Sequence, residues 1–243
     1  MLALLLKELR TFLSSLIGYV VIAVFLLLIG LFTWVFPGDM NLLDSGFAQM
    51  DTLFFIAPWV FMFLIPAITM RSFSEEKRTG TIELLLTKPL TDLQIILAKY
   101  WAGLVLVAIA LLPTLVYYFS VYQLGTPLGN IDSGGTMGSY IGLLFLGSAY
   151  VSIGIFASSI TNNQIVSFLV AALLSFFMFI GWESIGSFNL LGPLDNFVIA
   201  LGINDHYVSM SRGLIDTRDV IYFFILNSVF ILLSRLVLQS RRW

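Results

Sequence analysis

The 243 residues include no cysteine. That absence removes disulfides, thiolate metal ligands and thiol chemistry together. A single histidine, His206, is present, too few for a histidine-based metal site, and no H-E-x-x-H zinc-protease pattern occurs. Charge is scarce as well: 11% of residues are charged against 59% hydrophobic, and the mean hydropathy is +0.98. A soluble domain of this length needs far more polar surface, so the class is an all-α polytopic membrane protein. Nothing basic is extended enough to engage nucleic acid. No G-x-x-x-x-G-K-[ST] run occurs, so the chain has no phosphate-binding loop with which to hold ATP.

What is present is a set of long apolar runs. Length and lack of charge predict six transmembrane helices: Leu16–Phe36, Thr52–Met70, Leu93–Tyr122, Ser139–Ile160, Ile165–Ile180 and Val220–Leu238. The second contains Pro58 and Pro66; the third is overlong and contains Pro113. The fifth is barely long enough and can run on past Trp182. Small residues on the fourth form two seams, Gly138–Gly142–Ala149–Ser152–Ser159 and, nearly opposite, Gly147–Gly154–Ser158. Such seams let helices approach closely in lipid, which predicts a central position for this span.

Met1–Ser15 is not a signal peptide, because Lys7 and Arg10 follow the first leucines. On a helical wheel Leu2, Leu5, Leu6, Leu9, Phe12 and Leu13 share a face, and Lys7, Glu8, Arg10, Thr11, Ser14 and Ser15 the other, with Leu4 the exception. The pattern predicts an interfacial amphipathic helix. The segment 182–219 before the last span is partly apolar, and Leu194–Leu201 is too short to cross. A re-entrant outer helix and an ordinary surface helix fit it equally.

Ten of the twelve Lys and Arg lie on the side of the two termini: Lys7, Arg10, Arg71, Lys77, Arg78, Lys88, Lys99, Arg235, Arg241 and Arg242. The opposite loops hold Arg212 and Arg218 with nine acids, among them Glu183, Asp205 and Asp219. This bias predicts both termini in the cytoplasm of a multi-pass protein of the inner membrane.

Residues 71–92, between the second and third spans, are the most ordered of the polar segments. Glu75, Glu76, Lys77 and Arg78 lead to a break at Gly80, and a short apolar helix follows from Ile82 to Leu86. Pro89 disfavours helix at Lys88. Ser72–Glu75 and Thr91–Gln94 both have capping-box spacing, and Thr81 is a third candidate cap. A helix of barely two turns is not stable alone in water. Its leucines must be held by the bundle, by the membrane surface or by the groove of a partner.

The run EEKRTGTIELLLTKPLTDLQIILAKY, Glu75 to Tyr100, resembles the signature of ABC-2-type transporter permeases, and more narrowly of the gliding-motility-associated subgroup. The resemblance spans essentially the whole chain, with Glu75–Pro89 its specific part. It implies a permease powered by a separate ABC ATPase subunit, tied to gliding motility or export. ATP and Mg would sit on that partner, and this chain would hold no cofactor and no catalytic residue. The implied coupling helix is Thr81, Ile82, Glu83, Leu84, Leu85, Leu86 and Thr87, approached through Glu75, Glu76, Lys77, Arg78, Thr79 and Gly80. These thirteen residues are the expected ATPase contacts. A second permease copy, or a related permease, is the other expected partner besides the lipid bilayer.

Two other classes compete. An intramembrane enzyme needs ionisable groups at depth, and the first five spans have none centrally. Ser152 and Ser158 lack an activating base in their span, and Asp205 next to His206 is not a dyad. A secondary transporter or channel usually needs buried carboxylates, and a scaffold subunit of a motility or secretion machine also fits a charge-free core.

Overall fold

Six helical runs are long and apolar enough to cross a membrane: Gly18–Val35, Asp51–Arg78, Asp92–Leu124, Ser133–Ile160, Gln164–Ser187 and Thr217–Gln239. The computed structural model describes residues 1–86, 89–188, 192 and 195–240, without the side chains of residues 17 and 84–86. Helix makes up 81% of the chain, and no strand occurs among the described residues. Thr87, Lys88, Leu194, Arg241 and Arg242 lie outside the described residues.

The sequence starts most of these helices with a side chain. Span 1 comprises α2 (Leu16–Gly30) and a π-turn at Leu31–Val35, and Ser15 Oγ accepts the Gly18 amide at 3.2 Å. In span 3, Thr91 and Gln94 close a capping box at the head of α7 (Asp92–Leu111). The box bonds are Thr91 N–H to Gln94 Oε1 at 3.1 Å and Gln94 N–H to Thr91 Oγ1 at 3.3 Å. Asp132 caps span 4, Asn163 span 5 and Asp216 span 6 in the same way. Each cap satisfies an amide the helix cannot, an effect of about 1 kcal/mol. Pro113 turns the middle of span 3 into a 3-10 segment, Leu112–Thr114, before α8 (Leu115–Leu124) resumes. Span 5 runs from α10 (Gln164–Phe176) through a π-turn, Phe177–Gly181, into α11 (Trp182–Ser187).

Span 4, α9 (Ser133–Ile160), is the axis of the bundle. Its apolar window is 78% buried, against 28%, 22% and 28% for spans 1, 5 and 6. It packs against spans 2, 3, 5 and 6 at once. The two seams explain how. Gly142 faces Met210, Gly147 faces Val107 of span 3, and Gly154 faces Thr69 at the end of α4 (Asp51–Thr69) in span 2. A Cβ at Gly154 would overlap Thr69 Oγ1. Gly154→Ala is therefore expected to lower stability by about 1–3 kcal/mol through overpacking. Thermal unfolding in detergent measures this, and Thr69→Ala in the same chain should recover part of the loss.

The N-terminal helix, α1 (Leu2–Leu13), packs on α7 and α2. Leu2 and Leu6 are exposed on one side, where a bilayer would meet them. Leu4, the exception on the wheel, is the buried residue of the helix. The reason is that α1 has a second face. Leu4 and Glu8, one turn apart, turn to the bundle together, so an apolar residue belongs among the polar ones.

Candidate functional site

Spans 2 and 3 are joined by two short helices, α5 (Ser74–Arg78) and α6 (Thr81–Leu86). They lie at the same end of the bundle as α1, here called the basic end. Gly80 separates them at φ +70, a left-handed conformation that glycine adopts without strain. The hydroxyl of Thr81, read from sequence as a cap, lies 2.9 Å from that of Thr79. Ser72 does not cap the first of these helices, contrary to its capping-box spacing: α5 begins at Ser74 after Phe73, without a local side-chain cap. The cap comes from span 4. Ser158 Oγ accepts the amides of Phe73 (2.9 Å) and Ser74 (3.0 Å) and donates to the Met70 carbonyl (3.0 Å). One hydroxyl thus satisfies the chain as it turns from span 2 into α5. Lys77 donates to the Ser159 carbonyl one residue further along, so α5 is fastened to the end of the central helix.

A buried cation fastens it on the other side. Lys99, on α7, is 3% exposed. Its ammonium lies 2.9 Å from Glu8 Oε1 of α1 and 3.0 Å from Glu76 Oε1 of α5, and donates to the Ser72 carbonyl at 2.7 Å. Two hydrogen bonds and a second carboxylate at ion-pair distance surround the ammonium, the condition under which a charge can be buried. The Phe73 ring adds a face 5.0 Å from the nitrogen. Lys7 reaches Glu76 at 3.6 Å from the exposed side. Segments separated by many tens of residues meet at one ammonium.

The thirteen residues expected to contact a partner fall into three groups. Glu75, Glu76 and Lys77 are partly buried, and the last two are engaged as described. Arg78, Thr79, Gly80, Thr81 and Glu83 are exposed. Ile82 is 2% exposed and anchors α6 to the protein. Leu84, Leu85 and Leu86 are helical in backbone, and Thr87 lies outside the described residues. Sequence reading missed Lys99 as a centre and counted it only among the charges of its side. Ser158 was read as a packing residue. A lysine eight residues inside an apolar helix was the available signal for the first; nothing local marks the second.

The opposite, acidic end holds α12 (Asp195–Ile199) and α13 (Ile203–Ser211). The second packs on span 4, with Ile203, His206, Tyr207 and Met210 buried. His206 pairs not with its neighbour Asp205 but across the fold. It is 4% exposed, lies 2.7 Å through Nδ1 from Asp219 Oδ1 and 3.0 Å through Nε2 from the Ala200 carbonyl, and stacks on Tyr222. A carbonyl only accepts, so Nε2 carries a proton, and one further proton lies between the imidazole and the carboxylate. Burial raises the Tyr207 phenol above its ordinary range, so it stays protonated and donates to the Phe54 carbonyl at 2.6 Å. Beside it opens a groove of about 790 Å³ between spans 2 and 5, lined by Phe54, Trp59, Phe179 and Glu183 among others. Glu183 there accepts from the Asn204 amide at 2.8 Å.

A family model described as ABC-2 family transporter protein matches residues 2–239. No curated protein matches the chain.

Proposed function

The chain belongs to the ABC-2 family of transporter proteins, as a multi-pass integral membrane protein and membrane permease subunit, and from that premise we propose that an ABC ATPase drives it in trans through α6. The observation that carries this reading is the fastening of α5 and α6. They sit at the basic end as one short lever, tied to span 4 by Ser158 and Lys77 and to α1 and α7 by Lys99. A partner that grips α6 pulls on three parts of the bundle through bonded contacts. Glu83 is exposed and Ile82 is anchored, so one side of the helix is presented while the other is held. This is the arrangement of a helix offered to a groove. The Lys and Arg bias supports placing both termini and α6 in the cytoplasm. Family members generally work as dimers with an ABC ATPase, and we extend both to this chain, with ATP and Mg on the ATPase. The run Glu75–Tyr100 supports the narrower reading of a gliding-motility-associated permease.

Affinity purification from native membranes, followed by an ATPase assay and mass spectrometry, tests the reading. A co-purifying ATPase with a phosphate-binding loop is expected. The double substitution Leu84→Asp and Leu85→Asp should abolish its recovery and ATP-driven transport while the chain still inserts and elutes as a single species. Undiminished recovery from that variant sinks the proposal. Transport that responds to membrane potential without ATP would favour the secondary-transporter class.

A further inference from the structure

A crevice of about 280 Å³ lies at the basic end, between α1 and the turn that follows α4. Thr11 and Ser15 line it from one side, and Arg71, Ser72, Glu75 and Glu76 from the other. Two charged side chains in it are only half used. Arg71 Nε is buried without a hydrogen-bond partner, and its guanidinium forms no ion pair among the described residues. Glu76 spends Oε1 on Lys7 and Lys99, while Oε2 is buried without a partner. The two orphan atoms belong to side chains of opposite charge that line one crevice and do not pair with each other. Leaving either unsatisfied is costly.

Position narrows the choice of ligand. Leu2 and Leu6 give α1 an exposed apolar side, so in a bilayer the helix lies at the headgroup level with the crevice beside it. The charges around the crevice nearly cancel: Lys7, Arg71 and Lys99 stand against Glu8, Glu75 and Glu76. A site with no net charge does not favour a net anion. It suits a molecule that carries both signs at short separation. A phosphodiester fits the guanidinium fork, and a primary ammonium has N–H groups for a carboxylate.

We propose that this crevice binds the headgroup of a zwitterionic phospholipid with a primary amine, its phosphate on Arg71 and its ammonium on Glu76 and Glu75. The bound lipid would brace α1 against the root of the α5–α6 lever. The proposal depends on the chain lying in a bilayer and not on any ATPase partner.

Native mass spectrometry of the full chain in detergent, titrated separately with phosphatidylethanolamine, phosphatidylcholine and phosphatidylglycerol, tests it. Phosphatidylcholine keeps both charges but has no N–H on its cation, and phosphatidylglycerol has no cation. Phosphatidylethanolamine should be retained about tenfold better than either, the worth of one charge-assisted hydrogen bond. Arg71→Gln should erase the preference, and Arg71→Lys, which keeps charge without the fork, should reduce it. Should Arg71→Gln not fold, Thr11→Trp narrows the crevice from an exposed position and should give the same loss. Equal retention of the three lipids overturns the proposal, as does a preference that survives both Arg71→Gln and Thr11→Trp. Displacement of the lipid by soluble phosphoethanolamine at equal concentration would overturn the lipid assignment and leave a soluble phosphoamine as the ligand.

Discussion

Replacing Lys99 by Met is expected to lower the stability of the bundle by about 3–5 kcal/mol, because it strips the partner from two carboxylates at once. Glu8 and Glu76 both point their Oε1 atoms at the Lys99 ammonium. Without it two partly buried carboxylates are left without their shared cation, and the Ser72 carbonyl loses its donor. The chain should melt earlier in detergent, and α1 should detach first, since among the described residues its one buried side chain is Leu4. Protease sensitivity near residue 15 would report that detachment.

A second substitution separates stability from coupling. In the triple variant Lys99→Met, Glu8→Gln, Glu76→Gln neither carboxylate is left without its buried cation, and Lys7, which loses Glu76, is solvent-exposed, so most of the lost stability should return. If the ammonium is the joint through which α5 moves α1 and α7, ATP-driven transport by the restored fold should still be low. Full recovery of transport together with stability would show that the ion cluster only holds the fold, and that Ser158 and Lys77 carry the motion to span 4.

The legibility of this chain from sequence follows the range of each interaction. The six spans could be read because burial in lipid demands long charge-free helices, a local property of composition. Gly80 and the Thr91–Gln94 box could be read because a left-handed residue and a capping box are decided within four positions. Ser72 failed for the complementary reason. Its spacing to Glu75 was right, but a hydroxyl 84 and 85 residues away took the amides first. Leu4 looked misplaced because the wheel was read for one environment, whereas α1 borders two. The central place of span 4 was visible in its small residues, although which seam met which neighbour was not. Lys99 and His206 were read by their neighbours in sequence, and both found their partners across the fold.

His206 carries the second large expected effect. Asp219→Leu should lower stability by about 3–5 kcal/mol, the scale on which breaking a buried ion pair or its shared-proton equivalent acts. The buried imidazole, 4% exposed and stacked on the Tyr222 ring at 3.9 Å between centroids, would lose its carboxylate partner at Nδ1. The damage should be local. Asp219 sits in the first turn of span 6 and His206 on α13, so their bond holds α13 in place over Gly142. Because the native chain has no cysteine, a single Met210→Cys reports on this directly: Met210 is fully buried and its replacement should resist a membrane-impermeant maleimide. The same cysteine in the Asp219→Leu background should label readily. His206→Leu combined with Asp219→Leu removes both polar groups, and labelling should fall back towards the starting level. Labelling that stays low in Asp219→Leu alone would mean that packing of Ile203, Tyr207 and Met210 holds α13 without the pair.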